Sequence, residues 1–235
     1  MNWITHLISD FLDLLYPPVC FHCGMCTEPG QFLCKSCQSE LAFLEGELCP
    51  VCGTPLHLGI CDTCAGSQFV FDKAVSIFSF NPVCQSLIHH LKYKDMVGVG
   101  RYLGAKAAEY CKERNPFSAI DLVAPIPLHP VRLRHRGFNQ AGVIARAFAR
   151  QMKLSYMPHL VVRARYTQTQ TKLNRVQRQK NVSQAFRVKK PHLVQGRTIL
   201  IMDDVFTTGA TANSVAKALL NRGAERVYVL TIARA

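Results

Sequence analysis

The chain has 235 residues, 49% of them hydrophobic, and a formal net charge of +13. It is long enough to bury a sizeable core, in one large domain or in a large and a small one. No stretch is typical of a membrane span or of an export signal, so we expect a cytoplasmic protein with no membrane insertion. In that reducing setting cysteines hold metal more often than they form disulfides.

Residues 1–18 are predicted to form an amphipathic helix that docks on the rest of the protein or on a second copy. Its apolar residues recur at intervals of three and four, at Trp3, Leu7, Phe11 and Leu14. The stretch carries two aspartates, lacks a basic start and is too short to cross a bilayer. Pro17 and Pro18 end it.

A cysteine repeat follows, and nine of the eleven cysteines lie between Cys20 and Cys64. "CFHCG" is echoed by "CPVCG", and "CKSC" is echoed by "CDTC". Each C-x-x-C pair offers two thiolates, and two pairs complete a tetrahedral zinc site. Residues 19–69 are therefore predicted to form a small four-cysteine double zinc-ribbon module with two structural Zn²⁺ ions. The predicted ligands are Cys20, Cys23, Cys34, Cys37, Cys49, Cys52, Cys61 and Cys64.

The sequence does not decide how the cysteine pairs combine. Pairing within each repeat is the simplest arrangement, but an interleaved one stays open. Cys26 could also form a C-x-x-C pair with Cys23, yet the glycine after Cys23, echoed after Cys52, favours Cys26 as the spare residue. We expect Cys84 and Cys111, outside the repeat, to be buried in a structural role.

From residue 70 onward, strand and helix patterns alternate. The patterns predict strands at residues 73–80, 119–127, 199–202 and 226–233, and helices at residues 83–93, 100–113, 139–152 and 210–223. Asn139 is a plausible N-cap of the third helix and Gly223 a C-cap of the last. Apolar strands alternating with such helices predict an α/β domain over residues 70–235, with a parallel sheet covered on both faces.

The stretch "ILIMDDVFTTGAT", residues 199–211, combines an apolar strand with groups suited to a phosphorylated sugar. Ligands of open α/β sheets bind at the carboxyl end of the strands, where these residues emerge. Asp203 and Asp204 are acceptors suited to ribose hydroxyls. "TTGAT" adds hydroxyls, a glycine and the N–H groups of an opening helix, which together favour a monoester phosphate.

This stretch resembles the phosphoribosyl pyrophosphate (PRPP) loop of type I phosphoribosyltransferases, although Phe206 replaces the usual aliphatic residue. The resemblance implies that Asp203 and Asp204 hold the ribose hydroxyls as the catalytic pair. The implied ligands of the 5′-phosphate are Thr207, Thr208, Gly209, Ala210 and Thr211. "APIPLHP", which also follows a strand, resembles the loop that grips pyrophosphate, and Pro127 and Arg132 are its candidate ligands.

A long basic interval adds a second candidate surface. No Asp or Glu occurs between Asp121 and Asp203, whereas that interval holds 16 of the 28 Lys and Arg residues. Such a bias predicts a face for phosphorylated partners, and we expect it to bind single-stranded DNA. The candidate DNA-binding residues are Arg134, Arg136, Arg175, Arg178 and Lys180.

The paired ribbons, "PIPLHPVRLRHRGFNQA" and the run from Leu173 to Phe186 together resemble the ComF family, also labelled GntX. The resemblance covers nearly the whole chain. It implies a type I phosphoribosyltransferase-like fold and a PRPP-binding protein of natural competence that handles incoming single-stranded DNA. It also implies Mg²⁺ with PRPP and DNA-uptake partners such as a helicase. The alternatives are an active transferase with an unknown acceptor, a non-catalytic PRPP sensor, and a zinc-ribbon scaffold for DNA-uptake proteins.

Overall fold

The computed structural model describes residues 17–93, 96–163 and 185–235. The predicted N-terminal helix therefore lies almost entirely outside the described residues. Two short helices, α1 (Lys35–Glu40) and α2 (Asp62–Ala65), occur in the cysteine-rich segment, which is otherwise built from turns and isolated bridges. Within the described ranges, no helix combines the length and the apolarity needed to cross a bilayer.

In the part of the chain that the structure describes, five parallel strands form the central sheet, and five helices accompany it. The strands are β1 (Lys73–Ser79), β2 (Leu122–Pro125), β3 (Ser155–Tyr156), β6 (Thr198–Phe206) and β7 (Arg226–Arg234), in the order β1-β7-β6-β2-β3. The helices are α3 (Pro82–Tyr93), α4 (Val97–Arg114), α5 (Pro130–Arg136), α6 (Gln140–Met152) and α7 (Ala210–Leu220). A separate antiparallel pair joins β4 (Val161–Arg163) to β5 (Phe186–Val188), and a 3₁₀ turn covers Pro191–Leu193. The predicted parallel sheet with flanking helices is confirmed.

The sheet divides the apolar interior into two cores, because successive side chains of a strand point to opposite faces. In β6, Leu200 and Met202 belong to one core, whereas Ile199 and Ile201 belong to the other. The first core also takes in α3, α4 and α6, and the second takes in α7 and the β4–β5 pair. Both faces of β6 are thus covered, as its continuous apolar run predicts.

Several local boundaries differ from the sequence prediction. Strand β6 continues past the apolar run through both aspartates to Phe206, because its backbone stays paired with β7 as far as Arg234. Helix α7 ends at Leu220, and Gly223 follows in the next turn with a φ of +84°. The Asn139 cap of α6 is confirmed, since its side chain accepts a hydrogen bond from the Ala141 amide at 3.1 Å.

Candidate functional site

The eight ribbon cysteines form two separate groups of four. We call residues 17–44 ribbon 1 and residues 45–69 ribbon 2. Within each group the four sulfur atoms lie within 4.8 Å of one another. Zinc–sulfur bonds of about 2.3 Å require sulfur–sulfur edges of about 3.8 Å in a tetrahedral site. The Cys23–Cys34 and Cys49–Cys64 sulfur distances of 3.7 and 3.6 Å fit that geometry.

Ribbon 1 uses Cys20, Cys23, Cys34 and Cys37, and ribbon 2 uses Cys49, Cys52, Cys61 and Cys64. Pairing within each repeat is therefore correct, and the interleaved alternative is excluded. Cys26 is exposed and belongs to neither group. Cys84 and Cys111 are buried in the core, as expected. The two four-cysteine sites are structural zinc sites.

Each cluster contains one thiol that ionises easily. Burial opposes ionisation of Cys61, but the Cys64 amide and the neighbouring thiols outweigh it and lower the pKa of Cys61 to about 6. In ribbon 1 burial likewise opposes ionisation of Cys20, yet nearby backbone amides lower its pKa to about 6. Zinc binds thiolates, so a thiol with a low pKa helps each cluster to capture the metal near neutral pH.

The two aspartates of β6 have different surroundings because they point to opposite faces of the strand. Asp204 is 5% exposed, and its Oδ2 lies 2.6 Å from the Lys92 Nζ of α3. Asp203 lines an open pocket beside the start of α7, and its Oδ1 accepts a hydrogen bond from the Asp204 amide at 2.9 Å. Burial and the neighbouring charge of Asp204 hold the pKa of Asp203 well above its ordinary value.

Residues 207–209 connect β6 to α7, and Thr207 and Gly209 line the same pocket as Asp203, together with the first turn of that helix. Thr208 does not line this pocket. Gly209 has a φ of +71°, and a Cβ there would lie 2.5 Å from the Phe206 ring. The positive φ and the lack of room for a Cβ both explain why this position is a glycine. The first N–H groups of a helix lack intrahelical partners, so the start of the eleven-residue α7 offers donors to an anion. We call residues 207–211 the phosphate loop.

The second candidate loop, residues 126–129, lies at the same edge of the sheet. It follows β2, which pairs with β6 through Pro125 and Met202. Pro127 is partly buried, and Arg132 lies exposed on α5. Partial burial, then the charges of Arg163, Arg132 and Arg134, lower the pKa of His129. Three arginines therefore contribute positive charge near His129.

The predicted DNA-binding residues are only partly described. Arg134 is exposed on α5, and the Arg136 guanidinium lies 5.5 Å from the ring centroid of Tyr93, which is 67% exposed. Arg175, Arg178 and Lys180 lie outside the described residues. The structure thus brings Asp203, Ile126 and the phosphate loop apart from Thr208 around one pocket, whereas Asp204 faces Lys92 on the other side of β6. Residues 127–129 and the arginines of α5 follow Ile126 in the chain at the same edge of the sheet.

Three residues at or behind the site carried no signal in the sequence. Lys92 is one of several basic residues in an amphipathic helix, and only the folded chain shows its ion pair with Asp204. Arg163 looks like part of the basic interval, yet it is half-buried with its guanidinium 5.5 Å from the Phe186 ring centroid. Arg234 precedes the last residue of the chain, and it is buried at the end of β7.

An acid pair and a phosphate loop at the carboxyl edge of a parallel sheet, preceded by paired four-cysteine ribbons, define a phosphoribosyltransferase-like protein with a double zinc ribbon. Family matches agree, since a "double zinc ribbon domain" covers residues 11–65 and a "phosphoribosyl transferase domain" covers residues 135–235. The chain belongs to the ComF family.

Three relatives support this assignment. "DNA utilization protein YhgH" of Escherichia coli (strain K12) is 31% identical over 228 residues, which cover 94% of this chain and 99% of the relative. "Competence protein F" of Haemophilus influenzae is 28% identical, over 92% of this chain and 96% of the relative. "Competence protein ComFC" of Bacillus subtilis is 26% identical, over 83% of this chain and 81% of the relative.

Proposed function

We propose that this protein binds PRPP with Mg²⁺ at the carboxyl edge of its sheet and handles single-stranded DNA in the cytoplasm during natural competence. The observation that carries the proposal is that the aspartates, the phosphate loop and the loop of residues 126–129, which is followed by the arginines of α5, all lie at the carboxyl edge of the sheet. The names of the relatives, which refer to competence and to DNA utilization, support the biological setting.

Each part of PRPP has a candidate partner at this edge. The 5′-phosphate would accept hydrogen bonds from the phosphate loop. The ribose hydroxyls would donate to Asp203, which lines the pocket, and to Asp204 once its carboxylate leaves the ion pair with Lys92. Pro127 lies in the loop that would hold the pyrophosphate, and Arg132, exposed three residues after that loop, would offset its charge. Mg²⁺ prefers oxygen ligands and shared phosphates, so the carboxylates present here fit that ion. When bound, Mg²⁺ neutralises the pyrophosphate.

Calorimetry with PRPP and Mg²⁺ tests the sugar site. Asp204→Asn should weaken binding about tenfold or more, because an amide replaces a charged acceptor. Glu225→Gln makes the same chemical change at an exposed residue just before β7, at the opposite edge of the sheet, and should leave the affinity unchanged. Wild-type affinity in a well-folded Asp204→Asn protein would contradict the proposal. Comparison of melting temperatures excludes an indirect loss through misfolding.

The α5 arginines and Tyr93 are the described residues best suited to single-stranded DNA. Arginines contact phosphates, and an exposed aromatic ring beside one offers a stacking face for a base. Phe138, an aromatic residue of the basic interval, packs against the core instead. We therefore expect binding with little sequence preference, and Tyr93→Ala should weaken it through the loss of stacking.

Filter binding at several salt concentrations tests the DNA surface. The log–log slope should be roughly −0.7 per neutralised phosphate, so Arg134→Ala should make it shallower by about that amount. Arg226→Ala at the opposite edge is the matched control. PRPP with Mg²⁺ should compete at least partly with DNA, since both ligands use the α5 edge. A flat salt dependence would contradict the charged surface, and undiminished DNA binding at saturating PRPP would place the two ligands apart.

Release of pyrophosphate from PRPP in the presence of a panel of bases and nucleic acids separates a transferase from a PRPP sensor, because release requires turnover. A transferase would stabilise charge that develops as pyrophosphate leaves the ribose, through the fixed carboxylates and arginines of this edge. Binding without release under every acceptor would favour the sensor. Capture of DNA-uptake proteins by a chain that binds no PRPP would favour the scaffold.

A further inference from the structure

Arg234, at the carboxyl end of β7, connects ribbon 2 to the segment that carries the phosphate loop. Its guanidinium carbon lies 4.3 Å from the ring centroid of Phe206, the residue that precedes the loop. On its other side, Nη1 donates to the Cys52 carbonyl at 2.9 Å, and Nη2 donates to the hydroxyls of Thr54 and Thr63, the latter at 3.1 Å. A buried arginine therefore spans the distance between a zinc ligand and the loop.

Arg234 also contacts the immediate surroundings of the zinc site. The Thr54 hydroxyl lies 2.9 Å from the Cys52 sulfur and 3.1 Å from the Thr63 hydroxyl. Thr63 itself lies between the ligands Cys61 and Cys64 in the sequence. Hydrogen bonds of this kind fix the orientation of metal ligands. If the metal cluster of ribbon 2 opens, the acceptors of Arg234 move with it.

Aromatic packing also connects ribbon 2 to the phosphate loop. Phe69, at the end of ribbon 2, stacks on Phe71 with a centroid distance of 4.7 Å and meets Phe206 edge-on at 6.2 Å. A Cβ at Gly209 would lie 2.8 Å from the Phe69 ring, so this ring also borders the phosphate loop itself. The phenylalanine at position 206 thus makes contacts that the usual aliphatic residue of the PRPP loop could not make in the same geometry.

Helix α7 makes the third connection through Asn213. The Asn213 Nδ2 donates to the Gln68 carbonyl at 2.9 Å, and its Oδ1 accepts from the Val70 amide at 2.7 Å. The phosphate loop is therefore held from ribbon 2 on both sides, through Phe206 before it and through Asn213 after it.

Ribbon 1 packs elsewhere. Phe21 stacks on His90 of α3 at 4.4 Å, and Phe32 meets Tyr102 of α4 edge-on at 5.7 Å. Among the described residues, none of the hydrogen bonds or ring contacts of ribbon 1 reaches residues 203–213. Of the two ribbons, therefore, ribbon 2 contacts the segment that carries the phosphate loop, and ribbon 1 contacts other elements.

We propose that Arg234 is a positioning residue through which the folded, zinc-loaded ribbon 2 holds the phosphate loop in its anion-binding conformation. Ribbon 1 has no such effect. A loop of threonines and glycine has little packing of its own, so outside contacts set how well it is preorganised. The identity of the anion, the 5′-phosphate of PRPP, rests on the proposed function. The dependence of the loop on ribbon 2 does not.

Hydrogen exchange measured by mass spectrometry without ligand tests the dependence directly. Arg234→Met keeps the aliphatic stem but removes the donors, and it should speed exchange of the amides at residues 207–213 by about tenfold. Arg226→Met, at the other end of the same strand, is the matched control and should leave those amides unchanged. Peptides of α6 report whether the sheet domain stays folded. Equal exchange in the two variants would overturn the proposal.

Metal-ligand variants separate the two ribbons. Cys61→Ser should speed exchange of the same amides as much as Arg234→Met does, whereas Cys34→Ser should not. If Arg234 acts through ribbon 2, the double variant Cys61→Ser/Arg234→Met should exchange no faster than Cys61→Ser alone. Additive effects would mean that Arg234 acts independently of the ribbon. Arg234→Lys should restore part of the protection, since an ammonium can still donate to the threonine hydroxyls.

Calorimetry with PRPP and Mg²⁺ completes the test with a separate readout. Arg234→Met should weaken binding about tenfold, and Arg226→Met should not change it. If the wild-type chain fails to bind PRPP, the proposed function is wrong, and the exchange results still decide the role of Arg234. If PRPP binds equally to both arginine variants and the loop amides exchange equally, the positioning role alone is wrong.

Discussion

Ribbon 1 and ribbon 2 repeat the same metal-binding pattern but serve different surfaces of the molecule. Cys20 and Cys37 of ribbon 1 join the core on the α3 and α4 side of the sheet, whereas Cys49 and Cys52 of ribbon 2 join the core on the α7 side. The two zinc modules therefore differ in the surface against which each one packs. Ribbon 2 lies against the phosphate loop, whereas ribbon 1 lies against α3, α4 and strand β1.

Removing a zinc ligand of ribbon 2 is expected to lower the stability of the protein more than any other change considered below. The second cysteines of the two units, Cys23 and Cys52, are equivalent in the repeat, but Cys23 is exposed and Cys52 is fully buried. Each serine variant should bind about one zinc ion instead of about two. The melting temperature should fall further for Cys52→Ser, because opening this cluster also exposes packed surface.

Metal analysis of protein purified without added zinc, together with calorimetric melting, checks this prediction. Cys26→Ser is the control, and neither its metal content nor its melting temperature should change. A wild-type chain with one zinc ion or none would defeat the assignment of both sites. Equal destabilisation by the Cys23 and Cys52 variants would remove the difference between the ribbons.

The glycine after the first cysteine pair gives a matched test of the packing. Gly24 and Gly53 both have positive φ, +74° and +69°, so alanine is strained by about 1–2 kcal/mol at either position. A Cβ at Gly24 has no neighbour within 4 Å, whereas one at Gly53 would lie 2.7 Å from the Ala74 carbonyl oxygen of β1. Gly53→Ala should therefore lower the free energy of unfolding by clearly more than Gly24→Ala. Chemical denaturation of the two variants measures the difference, and equal losses would mean that ribbon 2 is not tightly packed on the sheet.

A smaller contrast is expected between the two aspartates, which face the two sides of β6. Asp204→Asn leaves the largely buried Lys92 without its charged partner and should cost about 2 kcal/mol. Asp203→Asn should instead stabilise the fold at neutral pH. The pKa of Asp203 is raised in the folded state, so the wild type loses stability as the pH rises through that value, and a neutral amide does not.

Thermal melts at pH 5 and pH 8 test whether Asp203→Asn stabilises the protein and whether the gain grows with pH. The gain from Asp203→Asn should be larger at pH 8 than at pH 5, where the carboxyl is already closer to its protonated form in the folded chain. A loss of stability from Asp203→Asn at pH 8 would contradict the raised pKa. Both variants should impair PRPP binding, so stability and affinity should change in opposite directions for Asp203.

The sequence predicted the parallel sheet, the two cysteine clusters and the Asn139 cap because each depends on a local pattern: periodicity, spacing or a capping side chain. It did not predict that β6 continues through both aspartates, since that extension depends on pairing with β7. Nor did it predict Lys92 or Arg234. Their partners lie 112 and 171–182 residues away in the chain, and only folding brings them together.

The most direct test of the central claim is the hydrogen-exchange footprint of PRPP with Mg²⁺ on the wild-type chain. Saturating PRPP should slow exchange at residues 207–213 and, to a smaller extent, at residues 126–136, with no change in the helices next to ribbon 1. If calorimetry shows that PRPP binds but exchange slows only outside residues 207–213, then this loop does not bind the phosphate of PRPP.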